Sequence, residues 1–96
     1  MLNLSPGKVH RLIEDRQLLA VRRNRVLVVP EEFVQEGEPL TDLRGTLILL
    51  ADNGFTDDEA MDWMLEVNEL LGVSPIAALR AGRKAEVRRV AQALAF

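Results

Sequence analysis

Val9, Leu12 and Ile13 repeat at the i, i+3, i+4 spacing of one buried helix face. Ser5-Pro6 ahead of them supplies an N-cap and a first-turn proline. This spacing predicts a helix over residues 5–17 that carries Lys8, His10, Arg11 and Glu14 on its other faces. The period then shortens. Leu18–Arg22 and Arg25–Val29 are β-rich runs around Arg23-Asn24, where Asn tolerates a left-handed turn, so a two-stranded hairpin is expected. Pro30-Glu31-Glu32-Phe33 reads as the start of another helix, and Glu36-Gly37-Glu38-Pro39 as a linker.

Beyond the linker the pattern is helical throughout. Leu40–Asp52 places Leu43, Leu47, Leu50 and Ala51 on one side, and Ile48 and Leu49 widen that stripe, so burial on most faces is expected. Asn53-Gly54 is a C-cap signal. Thr56-Asp57-Asp58-Glu59 is a capping box, with Phe55 placed to staple onto Ala60. The helix it opens should run from Asp57 to about Val67 and bury Met61, Met64 and Leu65, with Trp63 in the core. Gly72 closes the following turn. Ser74-Pro75 opens a short helix to Ala81 capped by Gly82. Arg83–Ala95 forms the last helix, with Val87, Val90, Ala91 and Leu94 inward and Arg83, Lys84, Arg88 and Arg89 outside.

At 96 residues and 48% apolar content, the chain suits one domain, or two very small ones sharing a core. It has no cysteine and one histidine, which removes disulfides, thiolate zinc sites and any histidine-based metal site. The longest apolar run, Thr46–Ala51, is too short to span a bilayer, and Met1–Leu4 lack the features of a signal peptide. A soluble cytoplasmic protein with no membrane partner and no cofactor is the expectation. The net charge of −3 conceals a segregation. Residues 1–30 hold six Lys/Arg and two Asp/Glu, residues 31–72 hold one and twelve, and residues 73–96 hold five and one. A basic N-terminal module thus precedes an acidic middle.

A basic helix followed by a basic hairpin suits the major groove and flanking phosphates of duplex DNA. Lys8, His10 and Arg11 lie in the first turns of the helix, where Arg reads guanine bidentately and Lys reads the same edge or a phosphate. Arg22, Arg23 and Arg25 flank the turn and would meet the sugar-phosphate backbone. For each group the bland alternative is a solvated polar face. Glu14 and Asp15 repel phosphate and confine contact to the helix start. Asp57, Asp58, Glu59 and Asp62 could suggest a metal or an acid/base pair, but acids in a first turn complement the helix dipole, and no nucleophile–base set or phosphate loop accompanies them. No enzyme activity is expected. Arg83, Lys84, Arg88 and Arg89 either contact phosphates or pair with the acidic middle.

Residues 5–33 resemble the second half of a winged helix-turn-helix of the MerR/excisionase type. The matching residues are Arg11-Leu12-Ile13 at the recognition-helix end, the strand Leu18–Arg22, the basic turn Arg23–Arg25, and Pro30-Glu31-Glu32-Phe33. Asn53-Gly54-Phe55, Asp58–Trp63 and the ending Glu86–Phe96 are similar to a group of small actinobacterial winged-helix DNA-binding regulators with an all-helical C-terminal domain, a group that includes a mycobacterial Ser/Thr-kinase substrate. The resemblance implies a mainly α fold with a small β-hairpin wing. Residues 1–36 would form a partial winged helix-turn-helix and residues 40–96 a helical bundle sharing its core. It implies sequence-specific binding of double-stranded DNA and transcriptional regulation, with a homodimer and a regulatory Ser/Thr kinase as further candidate partners. Met1–Leu4 correspond to the last turn of the motif's first helix, and the regulatory N-terminal arm of such proteins has no counterpart here, so kinase control passes to no residue. Cover for Val9, Leu12 and Ile13 is then expected from residues 40–52. In the rival reading, Gly72–Gly82 resembles the toxin-binding region of some bacterial antitoxins, and the chain is a protein-interaction module.

Overall fold

Most helix ends in the computed structural model, which describes residues 6–36 and 38–94, sit where short-range signals put them. Thr56 opens helix α3 (Asp57–Leu65) with a complete capping box. Its hydroxyl accepts from Glu59 N at 3.2 Å, while Thr56 N donates to Glu59 Oε1 at 3.0 Å. Ser74 caps α4 (Pro75–Arg80) by accepting from Ala77 N at 3.3 Å. Gly54 and Gly82 take the left-handed conformation that ends α2 (Leu43–Asp52) and α4. Phe55 N then donates to Leu50 O and Arg83 N to Ala78 O, the long bond of a Schellman cap in each case.

The departures occur where tertiary burial overrides the local pattern. Helix α1 spans Pro6–Glu14 and so ends before the expected residue 17; Ser5, read as its N-cap, lies outside the described residues. It closes with Arg16 at φ 61°, and Gln17 N donates to Leu12 O at 2.9 Å, so a non-glycine residue accepts the left-handed cap. The reason follows immediately in the chain: Leu18 and Leu19 are only 1% and 5% exposed, and a longer helix would carry them out of the core. The hairpin strands are short, β1 (Val21–Arg23) and β2 (Val26–Val28), paired Val21↔Val28, Arg22↔Leu27 and Arg23↔Val26. The turn centres on Asn24-Arg25, one residue later than Arg23-Asn24, with φ of 52° and 67°. Two positive φ values are those of the type I′ turn that matches strand twist.

Pro30–Phe33 makes a single 3₁₀ turn, not the start of a helix. Of the expected linker Glu36–Pro39, Gly37 lies outside the described residues, and Glu38–Pro39 is a strand. Strand β3 (Val34–Gln35) pairs antiparallel with β4 (Glu38–Pro39), and Leu40 N donates to Phe33 O at 2.9 Å. Phe33 is fully buried, and anchoring it holds both arms of this second hairpin against the body. Helix α2 accordingly starts at Leu43, with Leu40 buried ahead of it. Helix α3 ends at Leu65 instead of Val67, and Leu65, expected inside, is 38% exposed. Helix α5 spans Lys84–Gln92 and buries Val87 and Ala91. Arg83, expected outside, is half-buried. It donates to Glu86 Oε2 at 2.6 Å and to Leu71 O at 3.0 Å.

One hydrophobic cluster joins Leu18, Leu19, Val21 and Phe33 to inward residues of α2, α3, α4 and α5. Val9, Leu12 and Ile13 pack against it half-buried. Their cover comes from within the chain and is partial. A cleft of about 230 Å³ separates Ile13 from Leu47 and Ala51 of α2. Met1–Leu4, read as the end of a preceding helix, lie outside the described residues. Side chains tie the elements together by backbone contacts: Asn53 Nδ2 to Ala91 O at 3.1 Å, and Arg80 Nη1 to Glu32 O and Val34 O at 3.0 Å each. Among the described residues, no helix is long and apolar enough to cross a membrane.

The capping box sets a stability test. Thr56→Ala should cost about 0.5–2 kcal/mol in urea denaturation at neutral pH. The Thr56 backbone N–H, with its hydroxyl beside it, holds the Glu59 carboxyl below the usual glutamate range. A lowered folded pKa gives stability that is present above the unfolded value, about 4.3, and is lost as pH falls through the folded one. Glu59→Gln should therefore flatten the acid limb of the stability–pH curve and leave its alkaline limb unchanged.

Candidate nucleic-acid interface

Helix α1 presents its basic residues as an arc opposite its apolar face. Arg11 stands two positions from both Val9 and Ile13, so it points away from the body. Lys8 and His10 border it on either side. Lys8, one turn before Leu12, lies toward the second hairpin, with its ammonium 3.8 Å from Glu38. His10, one turn before Ile13, lines the cleft between α1 and the wing together with Arg22 and Leu27. All three are exposed. Arg44 Nε donates to Asp15 O at 3.0 Å, so α2 holds the C-terminal end of α1 and sets its direction.

On the wing, Arg22, Arg23 and Arg25 are also exposed, but they differ in surroundings. Arg25 occupies a left-handed turn position at the tip. Arg22 faces the α1 cleft. Arg23 shares the strand face of buried Val21, which turns it toward α3, and its Nη1 lies 2.7 Å from Asp58 Oδ1. Arg16 reaches Asp57 at 4.0 Å. Among the described residues, Arg11, Arg22 and Arg25 carry no ion pair.

Asp57 and Asp58 in the first turn of α3 therefore face the basic module, and no group of three or more His, Asp or Glu among the described residues could hold a metal ion. In the C-terminal basic group, Lys84 sits 3.8 Å from Asp42, Arg83 pairs with Glu86, and Arg88 and Arg89 are exposed. Arg16 and Arg44 are the residues that pattern reading missed. Arg44 was signalled as the lone cation in an otherwise acidic stretch. Arg16 carried no signal, because its left-handed conformation depends on burial of the leucines after it.

Two family models cover nearly the whole chain. Residues 1–34 match the winged helix-turn-helix domain of DNA-binding protein Rv2175c, and residues 40–95 match the Rv2175c C-terminal domain of unknown function. The chain belongs to the Rv2175c family. DNA-binding protein Rv2175c of Mycobacterium tuberculosis (strain ATCC 25618 / H37Rv) is 31% identical over 109 residues, an alignment covering all of this chain and 75% of that protein. The NMR structure of Rv2175c matches with a TM-score of 0.82 and 32% identity, over 94% of this chain and 70% of that one. Within the Rv2175c fold the hairpin β1–β2 is the wing, and α1 is the helix that runs into it.

The wing turn is conformationally strained at one residue. Arg25 holds a φ that costs an L-residue about 1–2 kcal/mol and glycine almost nothing. Arg25→Gly should therefore raise folding stability by up to about 1 kcal/mol in urea denaturation. A loss of stability instead would show that the Arg25 side chain contributes contacts that outweigh its backbone cost.

Proposed function

We propose that this protein binds double-stranded DNA sequence-specifically and acts as a transcriptional regulator, with α1 in the major groove and the wing on the adjacent backbone. One observation carries the reading. Arg11 stands at the centre of the exposed face of α1, and Arg22 and Arg25 are exposed on the wing, all without an ion pair among the described residues. Unpaired guanidiniums on a helix and an adjoining hairpin offer both base-edge readout and phosphate contact. Lys8 and His10 flank the reading position, and Arg23 adds a further backbone contact. The relative's name, DNA-binding protein, agrees with this reading.

The acidic middle of the chain limits how DNA approaches. Residues 31–72, with twelve Asp/Glu and one Lys/Arg, repel phosphate, while the exposed cations of α1 and the wing attract it, so the net charge of −3 does not by itself prevent binding. The antitoxin-like reading finds less support. Pro75, Ile76, Ala78 and Leu79 of the segment that suggested it are buried in the core of this same chain, so these side chains are not available to a partner.

Selection of duplexes from a random library, followed by binding titrations at several salt concentrations, tests the proposal. Arg11→Ala should weaken the selected site by about 1–3 kcal/mol and relax preference at one base pair. Arg22→Ala and Arg25→Ala should weaken all duplexes alike, each lowering the salt slope by about one. No enriched sequence, together with salt-independent binding, would overturn it.

A further inference from the structure

We infer that Asp58 is an internal competitor of DNA phosphate for Arg23, so that the C-terminal helices moderate the affinity of the wing. The inference rests on the DNA-binding reading above. A carboxylate oxygen 2.7 Å from a guanidinium nitrogen makes the charge-assisted contact that a phosphate oxygen would make. Asp57 and Asp58 border the cleft between α1 and the wing, which His10 and Arg22 also line. A duplex engaging both elements runs its backbone past that cleft, so the two aspartates lie where phosphate must come. Arg16, the remaining cation of this side, is drawn toward Asp57 at 4.0 Å.

The fold does not need this contact. Glu59 and Thr56 complete the cap of α3, and buried Ala60, Met61 and Met64 hold the helix in place. The Arg23 and Asp58 side chains are 51% and 67% exposed. Exposed pairs of this kind add little to stability. The pair's consequence is therefore for the charge presented to DNA. With Asp58 in place, the Arg23 guanidinium is neutralised at the surface, and its release must accompany phosphate binding.

The experiment measures duplex affinity at low salt for wild type, Asp58→Asn, Arg23→Ala, the double variant, and Glu66→Gln. The last removes the same charge about 12 Å away along α3. Asp58→Asn should tighten binding about two- to fivefold, a gain that shrinks with added salt. The gain should vanish in the Arg23→Ala background, and Glu66→Gln should produce clearly less. Unchanged or weaker binding by folded Asp58→Asn overturns the proposal, as does a gain that persists without Arg23. Elution from a heparin column asks only whether Arg23 is available to an anion, independently of duplex recognition. If no variant binds duplex but Asp58→Asn elutes at higher salt than both wild type and Glu66→Gln, the DNA reading falls while Asp58 remains the competitor. Equal elution of Asp58→Asn and Glu66→Gln overturns it.

Discussion

Insertion of Leu18 and Phe33 into the helical half of the chain is the constraint on which the other features depend. Both side chains are essentially inaccessible, and they bracket the wing in sequence. Each contributes about 1.5–3 kcal/mol of apolar burial, a sizeable share of the 5–15 kcal/mol that holds a typical domain together. The exposed ion pairs around the wing are worth about 0–1 kcal/mol each. Packing therefore decides where the hairpin sits, and the charges follow. The abrupt end of α1 at Glu14, the left-handed Arg16 and the entry of Leu19 into the core are consequences of the same anchoring.

That arrangement makes the C-terminal helices part of the basic surface. Arg44 of α2 grips the end of α1, and the first turn of α3 touches Arg16 and Arg23. The acids of α3 have two roles with different physical origins. Glu59 belongs to the helix, since its partners are Thr56 backbone and side-chain groups. Asp57 and Asp58 complement the dipole of that helix and, because of where the helix packs, also neutralise cations of another element. On the α1–wing side, Arg11, Arg22 and Arg25 are left without an ion pair among the described residues. A whole-chain charge of −3 is thus compatible with a strongly directional surface.

Capping was legible because its bonds span only a few residues. Thr56–Glu59, Ser74-Pro75, Gly54 and Gly82 all act where the pattern placed them. The second hairpin was not legible. Glu36 to Pro39 has the composition of a linker, and only the burial of Phe33 and Leu40 on either side brings Val34 opposite Pro39. Leu65 misled for the opposite reason. Its helical spacing is correct, but α3 ends at it and leaves it 38% exposed.

By itself the sequence determined which segments are helical, which face of each turns inward, and that a basic helix and a basic hairpin adjoin. These follow from side-chain period, cap chemistry and the turn tolerance of asparagine, all local properties. Tertiary structure decided the turn centre at Asn24-Arg25, the conformation of Arg16, and the separation of six candidate contact residues into those left open and those held by an acid. The partners of Arg23 and Lys8, Asp58 and Glu38, lie 35 and 30 positions away in the chain. Contacts of that range are set by how whole elements pack, which no periodicity within an element encodes.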